Sequence, residues 1–331
     1  MKLFAKIIAC MAGGMMSVSA ASAAEFTFKY GNSQPEKAAR SQSMIFFEQE
    51  LEKRSGGRIA VENFFGAVLG TEKEMYDQLT TGLIQGTRGG FFANANPKFN
   101  IFLLPFLTAG WDEMECLVSS DFTKTIQDGA HANGVHVPAT GISQGFRMYV
   151  NKVRPITEVA DLSGLKIREP QTDFFMAVAG TMGSVRVPMA YSEVYQALQQ
   201  GVLDGEHNPP ANIYNYKHYE VTKYLSVTNH MTGPDPLLVN KEWYDTLPAD
   251  LQQIFDEVAV EAMTKYVAMA REAETDLLNE LGKSLEVNYL TPEGLATFQE
   301  AVKPVYQQGV DDGHFTTADI DAARKAAKSC G

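Results

Sequence analysis

One stretch near the C-terminal end limits the architecture more than any other. Leu251, Ile254, Phe255, Val258, Ala262, Tyr266, Val267, Ala270, Leu277, Leu278 and Leu281 recur at spacings of three, four and seven, the repeat of one helical face. Pro248 opens the stretch, Gly282 closes it, and no proline or glycine interrupts it. The spacing predicts a single helix of about 34 residues, roughly 50 Å long at the α-helical rise. A lobe of about 150 residues has a radius of gyration on the order of 15 Å. A helix of that length outruns one such lobe, so it is expected to cross two lobes as a shared spine.

The rest of the chain alternates strand and helix signals. Phe26, Phe28 and Tyr30 alternate as a strand, Glu36 to Ser55 reads as a helix, and Arg58 to Phe64 alternates again. Thr71 and Glu74 form a capping box ahead of a helix ending at Gly82. Further strands are expected at Val135 to Thr140, Phe146 to Val150, Leu165 to Arg168 and Leu237 to Asn240. Ser192 is expected to cap a helix closed by Gly201. A β-α-β-α order predicts a mostly parallel sheet with helices on its faces, here in two lobes.

The chain has 331 residues. Its first two dozen have the layout of a cleavable export leader, with Lys2 and Lys6, an apolar run from Ile7 to Val18, and small residues from Ala20 to Ala24. The run is too short and too interrupted to span a bilayer, and too short before Cys10 for a lipid attachment site. The protein is therefore expected to be periplasmic, without a membrane anchor of its own. The balance of 28 basic against 40 acidic residues, a net −12, argues against nucleic acid or anionic lipid as partner. Losing Lys2 and Lys6 makes the remaining chain more acidic still. Cys116 and Cys330 lie far apart and leave a bond between them open.

Catalytic and metal patterns are weak. Gly141, Ser143 and Gly145 match G-x-S-x-G, but a nucleophile elbow needs a helix after the serine. Phe146 to Val150 reads as a strand. The histidines and cysteines show no metal-ligand spacing, no nucleotide loop is present, and no cofactor is expected. His207 beside Glu206 and Asp204 lacks an accompanying nucleophile. The chain is not expected to be an enzyme; a secreted serine hydrolase using Ser143 is the alternative.

The most informative segment runs from Asp161 to His230. It holds Asp161 to Pro170 around Arg168, then Pro188 to Pro209 with Tyr191, Gly201 and Asn208, then Tyr219 to His230. Together with Ser55 to Ile59, Leu69-Gly70 and Leu104 to Phe106, it resembles the solute-binding proteins of TRAP transporters along nearly the whole exported chain. The resemblance implies two α/β lobes around a cleft, joined by crossing strands and a long helix. It implies capture of a small organic carboxylate, such as a dicarboxylate, sugar acid or keto acid. Delivery would be to a membrane permease driven by an ion gradient; an ABC-importer receptor is the alternative.

By the same resemblance, Arg168 falls on the arginine that pairs with the ligand carboxylate, a role suited to a planar two-donor guanidinium. Arg147 falls on a second, more variable arginine, Asn208 on a ligand amide, and Tyr191 on a wall aromatic. Gln171 and Arg88 are further candidates for the cleft wall. His207 stands where glutamate or a small residue is usual, and Glu169 where valine is frequent. By strand alternation Glu169 is expected to point away from Arg168's side. The expected division is a leader at 1–24, a first lobe of 25–145 plus about 233–270, and a second of 146–232 plus about 271–331. The receptor is expected to be a monomer.

Overall fold

The computed structural model describes residues 23–330, so the expected leader, apart from its last two residues, lies outside the described residues. Two sheets carry the fold. The first runs, in spatial order, Ile59–Phe64, Phe26–Asn32, Gly86–Arg88, Leu238–Asn240 and Val135–His136. The second runs Glu286–Tyr289, Tyr224–Val227, Met148–Asn151, Gly205–Asn208, Lys166–Glu169 and Val185–Pro188. An antiparallel ribbon of Thr140–Ile142 and Pro234–Pro236 belongs to neither sheet and links the two.

That ribbon explains where the sheets depart from parallel. Met148–Asn151 continues the outgoing crossing strand and is antiparallel to both neighbours. Leu238–Asn240 continues the returning one and is likewise antiparallel to both. All other pairings are parallel, as β-α-β connections require.

The spine is one helix, Ala249–Leu281. Its first half presents Phe255 to Phe28 and Phe47, with ring centroids 5.1 and 5.2 Å apart. Its far end buries Leu281 in a separate cluster with Met148, Val150, Ile213 and Leu225 of the second lobe. Midway, the ribbon crosses it at Gly141, where an added Cβ would sit 2.7 Å from Met263 Sδ. Glycine is needed there for close approach, not for a strained elbow.

Local boundaries moved for identifiable reasons. Val135 to Thr140 is two strands, broken at Pro138, which has no N–H to give a ladder. The first helix spans Ala39–Arg54 rather than starting at Glu36. Ser192 caps nothing: it sits inside a 3₁₀ turn, Tyr191–Glu193, ahead of the helix Val194–Gln200. The capping box at Thr71 and Glu74 is present.

The last helix departs from the expected division. Thr317–Ala327 leaves the second lobe and packs on the first-lobe helices Trp111–Val118 and Asp121–Gly129. Lys98 Nζ meets Asp319 Oδ1 at 2.9 Å, and Cys116 is disulfide-bonded to Cys330. Contact with a distant surface decides this docking, and residue spacing carries no trace of it.

Candidate functional site

Between the sheets lies a cavity of about 70 Å³ with walls from both lobes. Arg168 reaches it from strand Lys166–Glu169, almost fully buried. Its Nε donates to the Met189 carbonyl at 2.9 Å, and its guanidinium carbon lies 5.1 Å from the centre of the Tyr191 ring. These two contacts fix the plane of the guanidinium. Its two terminal nitrogens have no partner among the described residues.

Arg147 enters just ahead of strand Met148–Asn151. Its Nε donates to His207 Nδ1 at 3.1 Å and its Nη2 to the His207 carbonyl. Its guanidinium stands 5.1 Å over Phe175. Burial, and next the like charge of Arg168, lower its pKa to about 10. Neither arginine forms an ion pair among the described residues, because the nearby acids are committed elsewhere. Glu169 bonds His207 Nε2 at 2.8 Å, and Glu206 bonds His218 Nδ1 at 2.6 Å. Two buried, unpaired cations side by side are costly unless an anion joins them.

Asn208 and Tyr191 also line the cavity. Asn208 donates through Nδ2 to Glu206 and accepts through Oδ1 from Asn212. The Tyr191 hydroxyl is buried and without a partner. Gln171 is exposed and borders a smaller recess at the cleft rim with Arg168 and Tyr191, not the main cavity. Arg88 is drawn away from it. Its Nε and Nη2 bond both oxygens of Asp235, at 3.1 and 2.6 Å, and its Nη1 bonds Ser43 Oγ. Gly89 and Gly90 beside it line the cavity and also make room for the Glu72 side chain: an added Cβ on Gly89 would lie 2.9 Å from Glu72 Cδ.

Three polar wall residues of the first lobe were missed in the sequence, Gln34, Arg40 and Glu72, along with the apolar Phe92 and Leu103. Arg40 Nε bonds Asp235 Oδ2 at 2.8 Å, so one aspartate on the crossing ribbon holds two arginines. Asp235 is fully buried, which pushes its pKa up. Arg40 and then Arg88 more than offset this and hold it below the ordinary carboxylate value. A loop glutamine, an early-helix arginine and a first-turn glutamate are ordinary in such places, so nothing in the sequence marked them.

Ser143 lines the cavity, yet its segment runs on into strand Met148–Asn151. Its N–H donates to the Gly233 carbonyl, and no histidine bonds it among the described residues. The setting of a nucleophile elbow is missing. Among the described residues no cluster of three or more potential metal ligands occurs.

Two sheets joined by a crossing ribbon and a common helix, around a cavity in which Arg168 and Arg147 have no anionic partner among the described residues, form the architecture of a solute-binding protein. The chain belongs to the bacterial extracellular solute-binding proteins, family 7, which it matches over residues 30–312. It is 34% identical over 242 residues to a solute-binding protein of Verminephrobacter eiseniae, covering 72% of each chain. It is 30% identical over 286 residues to the C4-dicarboxylate-binding periplasmic protein DctP of Rhodobacter capsulatus, covering 84% of each. Among solved structures, a TRAP periplasmic solute-binding protein from Bordetella superposes with TM-score 0.85 at 28% identity, covering 91% of this chain and 99% of that one. Another from Polaromonas, bound to D-erythronate, superposes with TM-score 0.86 at 26% identity, covering 90% and 98%. The chain is thus a TRAP-type solute-binding protein, a substrate-binding class rather than an enzyme class. No helix among the described residues is long and apolar enough to cross a membrane.

Proposed function

We propose that this protein captures a small organic carboxylate in the periplasm and hands it to an ion-gradient-driven TRAP permease. The observation that carries this is the pair of buried guanidinium groups, Arg168 and Arg147, lining one cavity and joined in no ion pair among the described residues. The terminal nitrogens of Arg168 present two parallel donors, the geometry that a carboxylate accepts bidentately. Arg147, anchored from behind by His207, adds a second charge. Asn208 and the free hydroxyl of Tyr191 are polar contacts for the rest of the ligand. Closure of the first lobe over this group removes water and strengthens each bond. Relatives that bind a C4-dicarboxylate or D-erythronate support an acid as cargo.

Arg168→Ala tests the reading. In the closed cleft the ligand charge would lose its main partner, at a cost of about 2–5 kcal/mol. Calorimetry against a panel of organic acids, with melting curves to verify folding, measures the loss. Unchanged affinity in a folded variant rejects the role. Arg168→Lys should also weaken binding, because the charge stays but the fork does not.

A further inference from the structure

The arginines account for one end of the ligand. The other end is legible from the polarity of a buried side-chain chain that crosses between the lobes. It starts at Glu206, fully buried on strand Gly205–Asn208. Burial pushes the Glu206 pKa up, but the charge and hydrogen bond of His218 hold it below the ordinary value. An ionised carboxylate only accepts. Asn208 must therefore turn its Nδ2 to Glu206, which leaves Asn208 Oδ1 to accept from Asn212 Nδ2 at 3.0 Å. Asn212 Oδ1 then accepts from Gln34 Nε2 at 3.2 Å and from Gln144 Nε2. Each amide orientation is dictated by the one before it. The chain ends on two buried oxygens without partners, Gln34 Oε1 and Gln144 Oε1. Gln34 belongs to the cavity wall.

A second acceptor stands in the same wall. Glu72 is held by Ser33 Oγ at 2.8 Å and by the Gly90 N–H at 2.9 Å, with lone pairs to spare. Arg40, beside them, uses only its Nε, on Asp235. The first-lobe wall thus asks for a group that donates to Gln34 or Glu72 and accepts from Arg40. A hydroxyl does both; a carboxylate can only accept, and it meets the charge of Glu72. An alkyl end leaves a buried acceptor unpaired in the closed site.

We propose that the ligand is a monocarboxylate bearing at least one hydroxyl on the end remote from its carboxylate, and that Gln34 and Glu72 select it against dicarboxylates and unsubstituted acids. This rests on the carboxylate reading above. The test is calorimetry of the purified protein with three four-carbon acids at one pH: 2,3,4-trihydroxybutanoate, succinate and butanoate. The trihydroxy acid should bind at least about tenfold more tightly than either of the others. Glu72→Gln and Gln34→Met should narrow that gap, and Arg168→Ala should weaken whichever acids bind. If Gln34→Met does not fold, Glu72→Gln carries the comparison. Succinate or butanoate binding as tightly as the trihydroxy acid overturns the selection while the carboxylate reading stands. A gap that persists in the folded variants overturns the assignment to Gln34 and Glu72. If none of the three acids binds, or if Arg168→Ala binds as wild type does, the carboxylate reading itself fails.

Discussion

Behind Arg147 lies a buried relay of neutral groups. His207 accepts the Nε–H of Arg147 on Nδ1, so its own proton sits on Nε2 and is given to Glu169 Oε2. His230 bonds the same Nδ1 at 3.0 Å and takes the Thr228 hydroxyl on its other nitrogen. Burial, then the charge of Arg147, holds His207 well below its usual pKa; burial, then His207, does the same to His230. A neutral imidazole under Arg147 leaves the arginine's charge unneutralised from behind. Glu169 pays for the same dryness. Burial, against the pull of Arg147 and Arg168, raises its pKa from 4.5 to about 8, and its Oε1 has no partner. Because the folded-state value is the higher one, its stabilising contribution is full below about 4.5, declines as pH rises, and is gone above about 8. Glu169→Gln should flatten the fall in stability between those pH values. Urea melts of both proteins across that range check it, and parallel slopes would show that Glu169 does not titrate there.

At the scale of elements, the long helix was fully legible. Its apolar repeat is local and unbroken, and the observed Ala249–Leu281 lies one residue inside each expected boundary marker. Short strands were less so. Gly205–Asn208, Tyr224–Val227 and Glu286–Tyr289 are not legible in the sequence, because each is four residues long and largely polar or mixed, with little apolar pattern to mark it. The docking of the C-terminal helix was invisible for another reason: its partners lie some 200 residues upstream, and the disulfide spans a separation of 214. A bond closing so long a loop restricts the unfolded chain strongly. Cys330→Ser is expected to lower stability by about 2–4 kcal/mol. Ligand affinity should be unchanged, because that helix packs away from the cavity. Equilibrium unfolding and calorimetry on one preparation separate the two effects, and a loss of affinity would mean that the tail bears on the cleft.

At the scale of the molecule, the two lobes are bridged by contacts that only the folded chain creates. The Tyr216 hydroxyl of the second lobe donates to the Ser33 carbonyl of the first, next to the Gln34–Asn212 bond. Tyr216→Phe removes that latch and leaves the ring against Tyr191. It should weaken ligand binding by about 0.5–1.5 kcal/mol, mainly through faster release, without altering the melt of the unliganded protein. Stopped-flow dissociation measures this; an unchanged off-rate removes Tyr216 from the closing mechanism. The sequence by itself determined the spine and the alternating lobes, since these follow from local periodicity, while its resemblance to a family pointed to Arg168, Asn208 and Tyr191 in one motif-bearing stretch and to Arg147 upstream of it. Only the tertiary structure decided that Arg88 turns to Asp235, and that Gln34, Arg40 and Glu72 complete the cavity. Charge pairing and hydrogen-bond direction depend on which distant side chains meet in a dry space, and spacing along a chain does not encode that.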